Sequence, residues 1–273
     1  NDAKKFIKKI KNKKNFIVIK DSYRFGYKWE KIVSKSAKKI IIIDDFIEKK
    51  HFADFYINHN PKFLKPSGID LKLLKNNNKS KCNFLLGPNF SLFNSINKKK
   101  VPIKSDFVFY NGGSGSLLIY EKIIKELFKL RKKAKIIIIV GPYSKNFSAL
   151  KKKLKPYKKI FFCIKPTNII DYLNGTKIFI SSAGTSMFES SFLKIPTLLF
   201  RMNSNQNFSN LDYEKIGHYF SLGKKDLKYS AKIAKLIFLM YQNEKKIKKL
   251  MNKSKINYLR IKKNYKKFLK NKI

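Results

Sequence analysis

The stretch Lys177-Ile178-Phe179-Ile180-Ser181-Ser182-Ala183-Gly184-Thr185-Ser186-Met187-Phe188-Glu189 decides how this chain is read. A short apolar, β-branched run stops abruptly at a block of small residues, and a helix-forming stretch follows. The pattern predicts a buried strand over 177–180, a turn over 181–186 and a helix over 187–193. In a parallel sheet such a turn lies at the carboxyl end of its strand, where α/β proteins bind ligands.

The same unit recurs upstream. Residues 106–110 read as a strand, Asn111-Gly112-Gly113-Ser114-Gly115-Ser116 as a glycine-rich turn and 117–132 as a helix. Strands are expected at 135–140, 160–164 and 196–200, with helices at 147–154 and 168–173. The first half has its own set, with strands at 15–19, 39–43, 53–57 and 84–86 and helices at 3–13 and 27–36. Residues 62–81 are rich in Lys and Asn, contain Pro66 and Gly68, and are read as a loop. The polar 97–102 stretch marks a boundary. Helices at 227–241 and 244–269 close the chain, the second strongly basic. Strands alternating with helices predict an α/β protein with mainly parallel sheets. The expected organisation is two Rossmann-like domains, at 1–98 and 99–255, followed by a basic helix at 256–273. The first domain is read as incomplete at its N-terminus. Residue 1 is Asn, and the charged 1–14 stretch lacks the apolar segment of a signal peptide, so the start is read as a cut into a longer chain.

The 273 residues include 63 Lys and Arg against 17 Asp and Glu, a net charge of +46. Only Arg24, Arg131, Arg201 and Arg260 are arginine, the residue that suits bidentate phosphate and base recognition. Lysine is spread along the whole chain, so the charge is read as compositional drift filling solvated positions, and no specific nucleic-acid partner is expected. No apolar run approaches the roughly 18 residues of a membrane span. Cys82 and Cys163 have no metal or redox spacing. They are read as buried thiols in a reducing, cytoplasmic setting, and no metal or cofactor is expected.

Two turns could carry chemistry. Gly112, Gly113 and Ser114 could bring backbone N–H groups close to an anion, or could simply form a tight turn; the pattern is neither G-x-G-x-x-G nor a P-loop. Thr185 or Ser186 could cap the helix, and their hydroxyls and N–H groups could hold a pyrophosphate there, with Glu189 placed to accept hydrogen bonds from ribose hydroxyls. The spacing of Ser186 and Glu189 fits a capping box, the reading that local sequence favours, and the two roles are not exclusive. Further on, Asn205 and Gln206 offer amides beyond a strand end. The three histidines, His51, His59 and His218, read as packing or surface residues.

The series Ala183-Gly184-Thr185-Ser186-Met187-Phe188-Glu189, Lys194-Ile195-Pro196-Thr197 and Asn205-Gln206 resembles the A-G-[ST]-[ST]-x-x-E … G-x-P … N-Q signature of GT-B enzymes that bind UDP-sugars. Lys194 stands where that pattern has Gly. The segment is similar to the C-terminal domain of glycosyltransferase family 28. More narrowly, the chain resembles the UDP-2,4-diacetamido-2,4,6-trideoxy-altropyranose hydrolases of pseudaminic acid biosynthesis. That likeness runs from about Asn15 to Gln206. It includes Asp21-Ser22-Tyr23, Trp29, Ile43-Asp44-Asp45, Ala53-Asp54, the 58–60 stretch, Leu86-Gly87-Pro88 and Asn111-Gly112-Gly113. The resemblance implies a GT-B fold and hydrolysis of a UDP-sugar. It gives Glu189 the ribose, Gly184, Thr185 and Ser186 the phosphates, and Tyr23 and Asn205 the positioning of sugar and water. The family's histidine-bearing G-x-G-x-H loop has no counterpart here, so binding of UDP without hydrolysis is one expectation for this chain. The alternatives are a GT-B glycosyltransferase, whose basic C-terminal helices could rest on an anionic membrane, and a non-catalytic nucleotide- or polyanion-binding protein.

Overall fold

The computed structural model describes residues 2–10, 15–92, 104–206, 208–252 and 258–272. The chain divides into two compact units, Asn1–Ser91 with Ile256–Ile273, and Leu92–Lys255. The division places 256–273 with unit 1, whereas the sequence set it apart; the 97–102 boundary lies outside the described residues.

Unit 1 contains α1 (Asp2–Lys9), β1 (Ile17–Asp21), α2 (Tyr27–Val33), β2 (Lys39–Ile43), β3 (Phe55–Asn58), α3 (Gly68–Asn76) and β4 (Asn83–Leu86). Its four strands are parallel, in the order β1-β2-β3-β4. The period-two alternation of strand side chains sorts their apolar residues onto two faces. Ile40, Ile42 and Tyr56 pack with Val33 and Leu74 on one face, and Ile41, Phe55 and Ile57 pack with Phe268 on the other. Phe268 belongs to the C-terminal helix 258–272. Its ring meets that of Phe55 edge-on at 4.6 Å, and Tyr265 donates to the Phe90 carbonyl at 2.6 Å. A basic sequence is thus held through one apolar stripe.

α3 corrects the reading of 62–81 as a loop. Pro66 and Gly68 punctuate the helix start instead of abolishing a helix. Ser67 is the N-cap and accepts from Asp70 N at 3.1 Å, while Leu74 is fully buried. Replacing Ser67 with Ala is expected to lower stability by about 1 kcal/mol, the usual cost of losing such a cap. Urea denaturation of wild type and variant measures it, and an unchanged midpoint would contradict the role given to the cap.

Unit 2 contains β5 (Ser105–Tyr110), α4 (Glu121–Leu130), β6 (Ile136–Val140), α5 (Phe147–Leu154), β7 (Ile160–Ile164), α6 (Ile170–Leu173) and β8 (Thr176–Ser182). It continues with α7 (Ser186–Phe192), β9 (Thr197–Arg201), α8 (Asn210–Lys215), β10 (Phe220–Gly223), α9 (Ser230–Gln242) and α10 (Glu244–Met251); the C-terminal helix of unit 1 is then α11 (Tyr258–Lys272). β10 was not expected from sequence; its four residues are all partly exposed, so it lacks the apolar signature of a central strand. Alternation again divides the core. Phe107, Phe109, Ile136, Ile138, Ile178 and Ile180 face α4, α5 and α9, while Val108, Ile137, Ile139 and Phe179 face α6.

Both cysteines are half-buried and free, and burial pushes the Cys82 thiol up to about 12. Among the described residues no helix is long and apolar enough to cross a membrane.

Candidate functional site

The six parallel strands of unit 2 are ordered β10-β9-β8-β5-β6-β7. From β5 the chain winds outward to β6 and β7, then returns to the other side of β5 with β8 and continues outward to β9 and β10. The loops leaving β5 and β8 therefore diverge, and the crevice between them is the topological switch point at which such sheets bind ligands. Both small-residue turns picked out in the sequence border it. Tyr110 is the register partner of Ser181, and a Cβ on Gly112 would stand 3.4 Å from Ser182 Oγ.

The first turn is held in shape by its neighbours. Gly112 has φ +70, a left-handed conformation that favours glycine. Tyr143 N donates to the Gly113 carbonyl at 2.8 Å, and Asn111 Nδ2 donates to Ser116 O at 3.0 Å. Gly141 lies so close that a Cβ there would be 2.5 Å from Gly112 O. Gly113 and Ser114 are left exposed.

In the second turn Gly184 N donates to Ser182 O at 2.8 Å. Thr185 is exposed at the N-cap of α7, while the Ser186 hydroxyl turns inward to Ser181 Oγ at 3.1 Å. That arrangement corrects the capping-box reading. Thr185, not Ser186, is the cap residue, no side chain caps this helix, and Glu189 does not return to its start. Glu189 is 7% exposed, and its carboxylate has no hydrogen-bond or ion-pair partner among the described residues. Burial pushes its carboxyl up to about 7. Tyr110, at the end of β5, has its phenol raised by burial and by the charge of Glu189, which places the two side chains in one electrostatic neighbourhood.

The helix carrying Glu189 is anchored from behind. His218 donates from Nε2 to the Met187 carbonyl at 2.7 Å, and the Ser191 hydroxyl donates to Ile216 O. Burial pushes the His218 imidazole down to about 4, so it is neutral and structural. Beyond β9, the Gln206 amide oxygen accepts from Met202 N at 2.7 Å and from Asn203 N at 3.4 Å. Gln206 thus shapes its own loop, and only its amide nitrogen remains to offer a ligand. Asn205 sits half-buried in the same 3-10 turn, Ser204–Gln206.

Tyr23 belongs to unit 1. Its hydroxyl donates to the Asp45 carboxylate, and the Lys49 ammonium lies 4.7 Å from its ring centre. His59 Nε2 stands 3.9 Å from the other Asp45 oxygen, and burial lowers the His59 pKa, so the ring is neutral at pH 7. Tyr23, Asp45 and His59 follow the ends of β1, β2 and β3, a phenol, a carboxylate and an imidazole fit for proton transfer. The sequence reading took Tyr23 alone. Asp45 and His59 each sit one or two residues past an apolar strand, and that position was the available signal.

Close by in unit 1 lies a buried set of charges. Lys20 Nζ meets Glu30 at 2.5 Å, His51 Nδ1 meets the same oxygen at 2.9 Å, and His51 Nε2 faces Asp44 at 3.5 Å. These four residues are at most 5% exposed.

No family model matches the chain. An uncharacterized protein of Methanocaldococcus jannaschii is 24% identical over 229 residues, 79% of this chain and 46% of that protein. The chain therefore spans about half the length of the curated relative it matches. Among solved structures, the pneumococcal O-GlcNAc transferase GtfA in complex with UDP and GlcNAc aligns with a TM-score of 0.58 at 12% identity, over 97% of this chain and 58% of that one. A putative UDP-N-acetylglucosamine 2-epimerase from Listeria monocytogenes aligns with a TM-score of 0.53 at 10% identity, over 100% and 78%. A glycosyltransferase from Rickettsia africae aligns with a TM-score of 0.52 at 16% identity, over 99% and 81%. These likenesses establish the fold: the chain is an α/β protein of the GT-B kind, with two parallel-strand sheets.

Proposed function

We propose that the crevice over β5 and β8 binds a UDP-sugar and that the chain belongs to a glycosyltransferase-like enzyme. The observation that carries this reading is Glu189, a buried carboxylate without a partner among the described residues, beside two small-residue turns at the switch point. Burying a carboxylate is costly unless something donates to it. A ribose supplies two hydroxyl donors, and the exposed Gly113, Ser114 and Thr185 leave room for a diphosphate against backbone N–H groups. Donors preorganised there would stabilise the charge that develops on UDP as it leaves. The solved structures with this fold named above include enzymes that carry UDP or UDP-N-acetylglucosamine in their names, which supports the choice of nucleotide.

A second reading, hydrolysis of a UDP-2,4-diacetamido-2,4,6-trideoxyhexose, rests on the sequence resemblance between Asn15 and Gln206. In that reading the resemblance gives Tyr23 and Asn205 the positioning of sugar and water.

Calorimetric titration of UDP tests the shared part. A saturable site of one UDP per chain is expected; no binding to a folded chain overturns both readings. Product analysis with a UDP-sugar separates them, because acceptor-dependent turnover means transfer and free sugar in water alone means hydrolysis.

A further inference from the structure

Unit 2 has a concavity on the carboxyl edge of its sheet. It opens beyond the carboxyl ends of β9 and β10 and has a volume of about 500 Å³. Arg201, Ser204, Gly223, Lys224, Lys225 and Asp226 are among its lining residues. Arg201 and Gly223 are register partners and the last residues of their strands, so both strands end at the floor of this cavity.

Arg201 is the informative residue. Lysine in this chain is too common to mark a site, but arginine is rare. The Arg131 guanidinium is occupied by Asp106, at 3.4 and 3.5 Å, and lies 4.5 Å from the Tyr241 ring centre. Arg24 lies over the Phe25 ring at 5.7 Å. Arg201 differs: its Nε is shielded from solvent without a hydrogen-bond partner, and its guanidinium forms no ion pair among the described residues. No ion pair joins it to the nearby Asp226 among the described residues; Asp226 Oδ2 accepts from Gly223 N at 2.7 Å. The Tyr213 hydroxyl is likewise committed, donating to Gln206 O at 2.7 Å. Three cationic side chains and one carboxylate therefore line the cavity, an excess of positive charge. A guanidinium whose Nε is unengaged and that forms no ion pair among the described residues is shaped for a carboxylate or a phosphate.

We propose that this cavity is an oxyanion subsite, taking a carboxylate or phosphate group on Arg201 with support from Lys224 and Lys225. Its position suggests the carrier. β9 is the neighbour of β8, and adjacent strands lie roughly 4.8 Å apart. The cavity is thus on the order of 5–10 Å along the sheet edge from the Gly184–Ser186 turn, a span comparable to one sugar ring. The identity of the carrier rests on the UDP-sugar reading; the anion site itself does not.

The test uses the whole chain at about 0.15 M salt, where diffuse surface attraction is screened. Inorganic phosphate is titrated into wild type, Arg201→Gln and the control Lys151→Gln, an exposed lysine on α5, with circular dichroism confirming that each is folded. One saturable phosphate site, weakened at least tenfold in Arg201→Gln and unchanged in Lys151→Gln, is expected. Equal affinity in the two variants would mean general attraction to a basic surface and would overturn the proposal. UDP-glucuronate and UDP-glucose then distinguish the sources. A loss in Arg201→Gln confined to UDP-glucuronate assigns the oxyanion to the sugar, whereas unchanged affinity for both, with phosphate binding lost, assigns it to a separate phosphate-bearing ligand. If neither UDP-sugar binds while the phosphate site persists, the nucleotide reading fails and this one stands.

Discussion

Glu189→Ala is expected to weaken UDP binding by about 1–3 kcal/mol, the usual range for hydrogen bonds to a charged group. The same change has a second consequence that a helix cap would not produce. Burial holds the Glu189 carboxyl at about 7, above its ordinary value of 4.5. A carboxyl whose pKa is raised by folding is bound to its proton more tightly in the folded state, so the protein loses stability as pH rises from about 4.5 through 7. Glu189→Gln removes that penalty without removing the side chain. It should therefore stabilise the free protein at pH 8, by roughly 2–3 kcal/mol, while weakening UDP. The ionised carboxylate is also the better acceptor for ribose hydroxyls, so UDP affinity should rise with pH through about 7 in wild type. The terminal phosphate of UDP titrates nearby, at roughly 6, but it does so in wild type and variant alike. The difference between the two isolates Glu189. If Glu189→Gln binds UDP as wild type does at every pH, the carboxylate has no part in the site.

The other large effect belongs to unit 1. Glu30 is fully buried and accepts from Lys20, His51 and, at 2.7 Å, the backbone of Phe52. Glu30→Ala would leave the Lys20 ammonium with the Phe25 carbonyl, at 2.6 Å, as its remaining partner among the described residues. Uncovering a buried charge in this way costs about 3–5 kcal/mol, which urea denaturation would read as a large fall in midpoint. A double change of Lys20→Met with Glu30→Leu removes both charges and should recover much of the loss. If Glu30→Ala costs no more than the double change, the pair is not a unit.

The same cluster sets a pH window. Burial alone would lower the His51 pKa, but the carboxylates of Asp44 and Glu30 outweigh it and raise the pKa above its ordinary 6.5. His51 therefore contributes stability that is complete below about 6.5 and is lost as pH rises through the folded value. Burial opposes ionisation of Glu30 and Asp44 too, yet hydrogen bonds to His51, and to Lys20 in the case of Glu30, lower both below their ordinary 4.5 and 3.8. Their contribution is present above those values and lost as pH falls through the folded ones. The cluster is thus most stabilising between about pH 4.5 and 6.5. A His51→Gln variant should flatten the alkaline side of the stability profile.

These particulars divide what sequence and structure each decide. Runs such as Ile40-Ile41-Ile42 and Ile136-Ile137-Ile138-Ile139 could bury themselves only as central parallel strands. Their side chains alternate between two faces, and both faces need a covering helix. The small residues at 112–115 and 181–186 likewise mark strand ends from sequence alone, because such residues let a backbone turn tightly there. Local pattern was therefore enough for the α/β class, the parallel sheets and the two turns. It was not enough for α3, whose apolar side was hidden among lysines and asparagines, nor for the choice between cap and ligand at Glu189. Spacing allows Ser186 and Glu189 to meet; only the packing of α7, with Ser186 turned to Ser181, decides that they do not. Lys20 is the sharpest case. Its sequence context is a lysine like dozens of others, read as solvated, yet the fold buries it against Glu30 and His51 from distant positions in the chain. Which strand stands beside which, and so which turns share one crevice, is equally non-local: the switch between β5 and β8 exists because the chain crosses back over its own sheet, and no window of sequence contains both sides of that crossing.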